Sequence, residues 1–257
     1  MFIDSHCHLD FPCFTTEIET LLAQLAQQNI SKLIIPATQA SSWDNIEKLA
    51  NRYPALYYAL GIHPHFLDSF QKNDLLTLKD KLLTSGVKRV ALGEIGLDKF
   101  ARADIKQQEF VFIEQLKIAK QLKLPIILHC VKKQGRVIEI LKAQSFNHGG
   151  VYHAFSGSLE TANEFIKLGF KLGIGGVITY PNSTTTRQTV AKLPIESLLL
   201  ETDAPDMPIY QQHTSNNSPL NIIPIFNVLS ELRNEPKSQL ATQLYNNAFN
   251  LFPLFND

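Results

Sequence analysis

The sequence predicts a single α/β domain built as a TIM (β/α)8 barrel, and three observations carry the prediction. Short apolar, strand-like runs alternate with segments of helical periodicity along all 257 residues. Eight such units in about 250 residues match the arithmetic of that barrel. Nearly every apolar run also ends at a histidine or a carboxylate, and the C-terminal ends of barrel strands are where functional side chains gather. An open doubly wound sheet is the rival. It ordinarily needs fewer strands per domain, and no glycine-rich dinucleotide fingerprint follows the first strand.

Each element can be justified in turn. Phe2 to His8 reads as a strand, with His6 and His8 two apart and therefore on one face. Glu17 to Gln28 places Ile18, Leu21, Leu22 and Leu25 at helical spacing. Lys32–Ala37 is the second strand and Trp43–Arg52 the second helix. The strand at 56–62 runs into His63 and precedes a helix near 73–84. The strand at 88–94 ends at Glu94, ahead of a helix from Ile105 to Leu122 whose Asp104 and Gln107 are spaced as a capping box. Strand 125–129 ends at His129 and precedes helix 135–143; strand 150–154 contains His153 and precedes helix 158–168. Lys171–Ile178 is a glycine-interrupted strand, followed by a short helix at Thr185–Ala191. The eighth strand, Leu198–Glu201, leads to Asp203, and Pro219–Leu232 and Pro236–Asn250 are closing helices. The polar loop from Pro205 to Pro219 follows the eighth strand and is expected to overhang the barrel mouth.

Composition narrows the class. A 44% hydrophobic, 19% charged chain is ordinary globular protein. No apolar run approaches the roughly 20 residues that span a bilayer. The N-terminus lacks a basic leader, and Cys7, Cys13 and Cys130 form no spacing pattern. A cytoplasmic protein with reduced thiols is the expectation. The net charge of zero removes any global pull toward nucleic acid. A local basic rim or bound metal would have to supply that attraction.

One histidine at a strand end is more often structural than a ligand, but the series is different. Buried charged groups are rare unless paired or metal-bound. Here His6, His8, Glu94, His129, His153 and Asp203 all cap or follow apolar strands. Six such groups exceed what one ion takes, whereas two divalent ions sharing a carboxylate use them all. In one such arrangement His6, His8 and Asp203 hold the first ion, His129 and His153 the second, and Glu94 bridges. With no thiolate in the set, Zn, Mn, Ni, Co or Mg all fit.

Those residues also carry a resemblance. His6-Cys7-His8, Gly61-Ile62-His63-Pro64-His65, Gly93-Glu94-Ile95-Gly96-Leu97-Asp98, His129, His153-Ala154-Phe155-Ser156-Gly157 and Glu201-Thr202-Asp203-Ala204-Pro205 resemble the successive motifs of the TatD family. These are metal-dependent, deoxyribonuclease-like hydrolases of the amidohydrolase superfamily. The likeness runs from residue 2 to about 252 and includes Asn247. It implies a TIM barrel, the six metal ligands named above, and phosphodiester hydrolysis of DNA. Departures from the common pattern fall at Lys99, Val131 and Ala154, beside the ligands and not on them.

Other candidates surround this set. His63 reads as a donor to a substrate oxygen or a proton-transfer group; the alternative is a structural histidine held by Pro64. Asp203 is expected both to bind metal and to take a proton from the attacking water, and His65 to sit on the rim. Asp4 either orients a ligand or pairs structurally. Lys99, Arg102, Lys132, Lys133 and Arg136 follow strands four and five, as phosphate contacts or as a solvated rim. Ser156 lacks a nucleophile elbow. No obligate protein partner is implied. The rival functions are hydrolysis of a small amide, ester or phosphoester, and a non-catalytic metal-binding interaction protein.

Overall fold

The computed structural model describes residues 1–212 and 216–252. Eight parallel strands form one sheet in strict sequence order. They are β1 (Phe2–Asp4), β2 (Ile30–Pro36), β3 (Leu56–Leu60), β4 (Arg89–Asp98), β5 (Ile126–Val131), β6 (Gly150–Tyr152), β7 (Phe170–Ile174) and β8 (Leu198–Leu200). The seam between the first and last strands closes by backbone hydrogen bonds. Ser5 N donates to Leu200 O, Asp203 N to His6 O and His8 N to Ala204 O. The sheet is therefore a barrel, as the alternation predicts.

The principal covering helices are α2 (Ile18–Gln27), α3 (Trp43–Arg52), α4 (Lys72–Thr84), α5 (Ile105–Leu122), α6 (Gln134–Ala143), α7 (Leu159–Lys167), α8 (Thr184–Lys192), α9 (Ile222–Leu232) and α10 (Lys237–Leu251), with a four-residue α1 at Pro12–Thr15. Strands buried on both faces explain the near-continuous apolar runs. The large core lies between strands and helices and includes Trp43, Phe112 and Phe165. A smaller cluster fills the barrel itself, with Ile34, Tyr57, Val90, Ile127, Val151 and Leu199 pointing inward. Ala248 and Phe252 join that inner cluster, so α10 plugs the N-terminal mouth. Buried Asn247 fixes the plug by donating to the carbonyls of Ile195 and Leu198, each at 2.8 Å.

Several expected boundaries shift. β4 continues four residues past Glu94, to Asp98. Its register with β5 breaks between Leu92 and Ile95, and Glu94 N donates to Ala37 O at the end of β2. The strand thus bends inward at Glu94, past β3. Gly61 permits this, since a Cβ there would lie 2.6 Å from the Gly93 carbonyl carbon. β7 stops at Ile174, because the chain turns at Gly175 into a 3-10 helix at Gly176–Thr179. The predicted strand to Ile178 is too long by that turn. Asp104 caps α5 by accepting from the backbone N–H groups of Lys106 and Gln107. Residues 213–215 of the expected overhanging loop lie outside the described residues.

Candidate metal centre

The barrel order brings His6, His8, His63, Glu94, His129, His153 and Asp203 to the C-terminal mouth. Only Glu94 and His129 lie within strands. His6 and His8 follow β1, His63 follows β3, His153 follows β6 and Asp203 follows β8, each by a few residues. The expected strand endings are therefore loop starts in most cases. The extended chain after β1 still turns both imidazoles the same way, with the two Nε2 atoms 3.3 Å apart.

Glu94 stands at the centre and is almost fully buried. Its Oε2 lies 3.2 Å from His6 Nε2 and 3.9 Å from His8 Nε2. Its Oε1 lies 2.8 Å from His153 Nε2 and 2.9 Å from His129 Nδ1. Asp203 Oδ1 faces the first pair, 3.3 Å from His6 Nε2 and 3.6 Å from His8 Nε2. Burial alone raises the Glu94 carboxyl, but the surrounding His153, His63, His6 and His129 outweigh it and hold the group well below its ordinary range. Asp203 behaves likewise: hydrogen bonding from His8 and the nearby imidazoles overcome burial. Burial first, then the neighbouring His153, push His6 down to about 4.

This donor set fits divalent ions. His6, His8 and Asp203 place one ligand-type atom each within 4.8 Å of one another, as do His6, Glu94 and His153. Each of the two Nε2 atoms of His6 and His8 lies within 3.9 Å of both Glu94 Oε2 and Asp203 Oδ1, so imidazole and carboxylate lone pairs face one space that a cation can occupy. The thiols take no part, as Cys7 and Cys130 are buried with their pKa values raised, chiefly by desolvation.

His63, Glu94 and His129 form a third close group, yet His63 is placed as a donor. Its Nδ1 accepts the His65 backbone N–H at 3.1 Å. Burial, the largest cause, lowers its pKa to about 4 and keeps the ring neutral. The single ring proton then sits on Nε2, 3.3 Å from Glu94 Oε1. His63 N donates to Thr38 O, and Gln115 of α5 clamps the preceding loop through both backbone groups of Ile62.

The supporting layer contains residues that sequence reasoning missed or left open. Asp98 Oδ2 is 2.7 Å from His129 Nε2 and 2.9 Å from His65 Nε2. Asp98 lay inside a quoted motif, but ending β4 at Glu94 hid the alternation that puts residues 94 and 98 on one side. Glu201, fully buried, accepts from Ala154 N and Ser5 Oγ. Burial is the main cause that raises its pKa to about 7. Gly173 makes room for it, since a Cβ there would come within 2.0 Å of Glu201 Oε2. Asp4 ties the seam, accepting from Thr202 Oγ1 at 2.6 Å and from Thr202 N at 3.0 Å.

Two cavities meet at His129, His153 and Asp203. One, of about 310 Å³, is walled by Phe11, Thr38 and Phe66; the other, of about 270 Å³, by Lys132, Gln134, Tyr152 and Met207. Of the basic candidates, Lys132 lines a cavity, while Lys99 and Lys133 line neither. Arg136 is taken out of the rim by paired hydrogen bonds to Glu109, both at 2.7 Å. His65 is half-exposed and lines the 310 Å³ cavity.

Fold and centre together define a (β/α)8 barrel with a cluster of histidines and carboxylates able to hold metal at its C-terminal mouth. The chain belongs to the family described as TatD related DNase, whose model it matches over residues 3–253. It is similar to the uncharacterized metal-dependent hydrolase YjjV of Escherichia coli K12, with 44% identity over 98% of this chain and 97% of that one. The crystal structure of that TatD homologue superposes with a TM-score of 0.94. An uncharacterized metal-dependent hydrolase of Haemophilus influenzae is 35% identical, covering 98% of this chain and 99% of its own length. A TatD family hydrolase from Entamoeba histolytica, at 22% identity and 98% coverage of both chains, shares the fold with a TM-score of 0.87.

Proposed function

We propose that the chain is a divalent-metal-dependent hydrolase that cleaves phosphodiester bonds of DNA in the cytoplasm. The observation that carries this reading is the placement of Glu94, one carboxylate oxygen toward His6 and His8 and the other toward His129 and His153. His6, His8 and Asp203 would hold one ion, His129 and His153 the other, with Glu94 shared. When bound, the ions supply Lewis acidity to the phosphoryl group and acidify a water near neutral pH.

The side chains supply the rest. Asp203 is ionised and open to both cavities, so it accepts the proton of the attacking water. His63 Nε2–H donates to a substrate oxygen beside Glu94. Lys132, exposed at the rim of the 270 Å³ cavity, contacts a neighbouring phosphate. The family description and the relatives' names support hydrolase chemistry; the DNA substrate rests on the family likeness and this geometry.

A second reading, hydrolysis of a small phosphoester, amide or ester, draws on the modest size of the cavities. The deciding experiment is turnover of metal-supplemented protein on single- and double-stranded DNA against a panel of small esters and amides. Cleavage of oligonucleotides with the higher kcat/KM supports the DNA reading. Turnover confined to small substrates supports the second, and turnover of neither leaves a metal-binding protein.

A further inference from the structure

We infer that Asp98 is a positioning residue that fixes the tautomer of His129, so that Nδ1 of this imidazole is the nitrogen presented to the centre. The inference deepens the proposed function, resting on His129 as a ligand. Among the four candidate ligand imidazoles His129 is the exception. His6, His8 and His153 turn Nε2 inward, and among the described residues their buried Nδ1 atoms receive no hydrogen bond, the carboxylate behind His153 Nδ1 being Glu201 Oε1 at 3.9 Å. His129 turns Nδ1 inward, 2.9 Å from Glu94 Oε1 and 3.1 Å from His153 Nε2, and its outer nitrogen has a carboxylate at 2.7 Å.

The carboxylate is itself held rigidly. Asp98 is 4% exposed. Its Oδ1 accepts the Phe100 backbone N–H at 2.7 Å. Its own N–H donates to Gln108 Oε1 at 2.8 Å, and Gln108 Nε2 donates to Ala103 O at 2.9 Å. One oxygen is thus committed to the loop, and only Oδ2 remains for His129 and His65. An ionised carboxylate can only accept. Asp98 therefore holds a proton on Nε2, so an ion taking the place of the proton between Nδ1 and Glu94 Oε1 would meet the Nδ1 lone pair. A carboxylate behind a ligating imidazole also raises its basicity, and such partners are worth about 10–100-fold in metal affinity or activity.

Asp98→Asn separates this role from mere packing. The amide oxygen would keep the Phe100 N–H, so the NH2 must face His129 Nε2 and demand its lone pair. That moves the ring proton to Nδ1, the wrong side for a ligand. The first measurement is the ring-nitrogen spectrum of 15N-histidine-labelled protein loaded with Zn2+. The parent should show His129 protonated on Nε2, and Asp98→Asn should shift it toward Nδ1. The second is calorimetric titration with Zn2+, in which Asp98→Asn should weaken the second ion by about tenfold or more while the first ion and the stoichiometry at saturation are kept. Asp98→Ala, which imposes no tautomer, should weaken it less than Asp98→Asn does; should that variant not fold, the spectral comparison of Asn with parent decides alone.

An unchanged His129 spectrum in Asp98→Asn would overturn the inference. So would a third ion bound by the parent and lost from the variant, because Asp98 would then be a ligand. The spectrum needs Zn2+ but no substrate, so loss of the hydrolase reading in turnover assays leaves this test standing.

Discussion

Removing the Glu94 carboxylate takes one oxygen from each of two imidazole sets at once. Glu94→Ala is therefore expected to lower bound metal as well as activity, in contrast to a residue that only touches substrate. Elemental analysis of purified parent and variant measures this; equal metal content would remove the bridging role. Asp203 calls for a different substitution. Asp203→Asn keeps the shape and an oxygen facing His6 and His8, but loses the charge and the ability to accept a proton. Single-turnover cleavage should fall by at least about 100-fold, the low end for losing a general base. Equilibrium binding of the same oligonucleotide should fall far less. Near-parental cleavage by a nuclease-free preparation would assign the base elsewhere. At the rim, Lys132→Ala should lower the log–log salt slope of single-strand binding by roughly 0.7. Arg136→Ala should leave that slope alone, because its guanidinium is already spent on Glu109 and Glu139.

At the scale of elements, the glycines decide where strands can go. Gly173 in β7 faces the buried Glu201 carboxylate, which hydrogen bonds to Ala154 and Ser5 hold in place. Gly173→Ala should cost about 1–3 kcal/mol as an overpacked site, a fall in Tm of roughly 2–4 °C per kcal/mol for a chain of this size. A thermal melt with parental Tm would mean that Glu201 swings aside freely. The same strands show what a sequence can and cannot convey. Their number and order were legible because burial on both faces writes continuous apolar runs between helical periods. The six ligand-type side chains were legible because they interrupt those runs. The end of β7 was not, since a glycine pair suits a strand and a 3-10 turn alike. Nor was the inward bend of β4, which depends on Gly61, just past the end of β3, making way. Asp98 escaped notice as a site residue for the same reason: its partner His129 is 31 residues away and meets it only across the β4–β5 pairing.

At the scale of the molecule, the centre and the barrel seam are one structure. His6 and His8 leave β1, Asp203 leaves β8, and the backbone bonds joining these segments close the sheet. Metal that binds the folded chain alone should stabilise it by about 2.7 kcal/mol at a free concentration of 100 Kd. Melts in chelator and in rising Zn2+ should show a Tm that climbs with ion concentration, and His6→Ala should flatten the climb. A Tm indifferent to metal would uncouple centre from seam. The seam also sets a schedule. Ser5 and Leu200 are 195 residues apart in sequence yet share a hydrogen bond, and contacts of such span are among the last a chain can afford entropically. During synthesis, a chain still lacking β8 has His6 and His8 but no Asp203. Neither the carboxylate that would accept the proton nor the closed mouth exists until the last strand has docked. The hydrolytic centre is thereby withheld from unfinished chains, and competence for chemistry becomes a report that folding is complete.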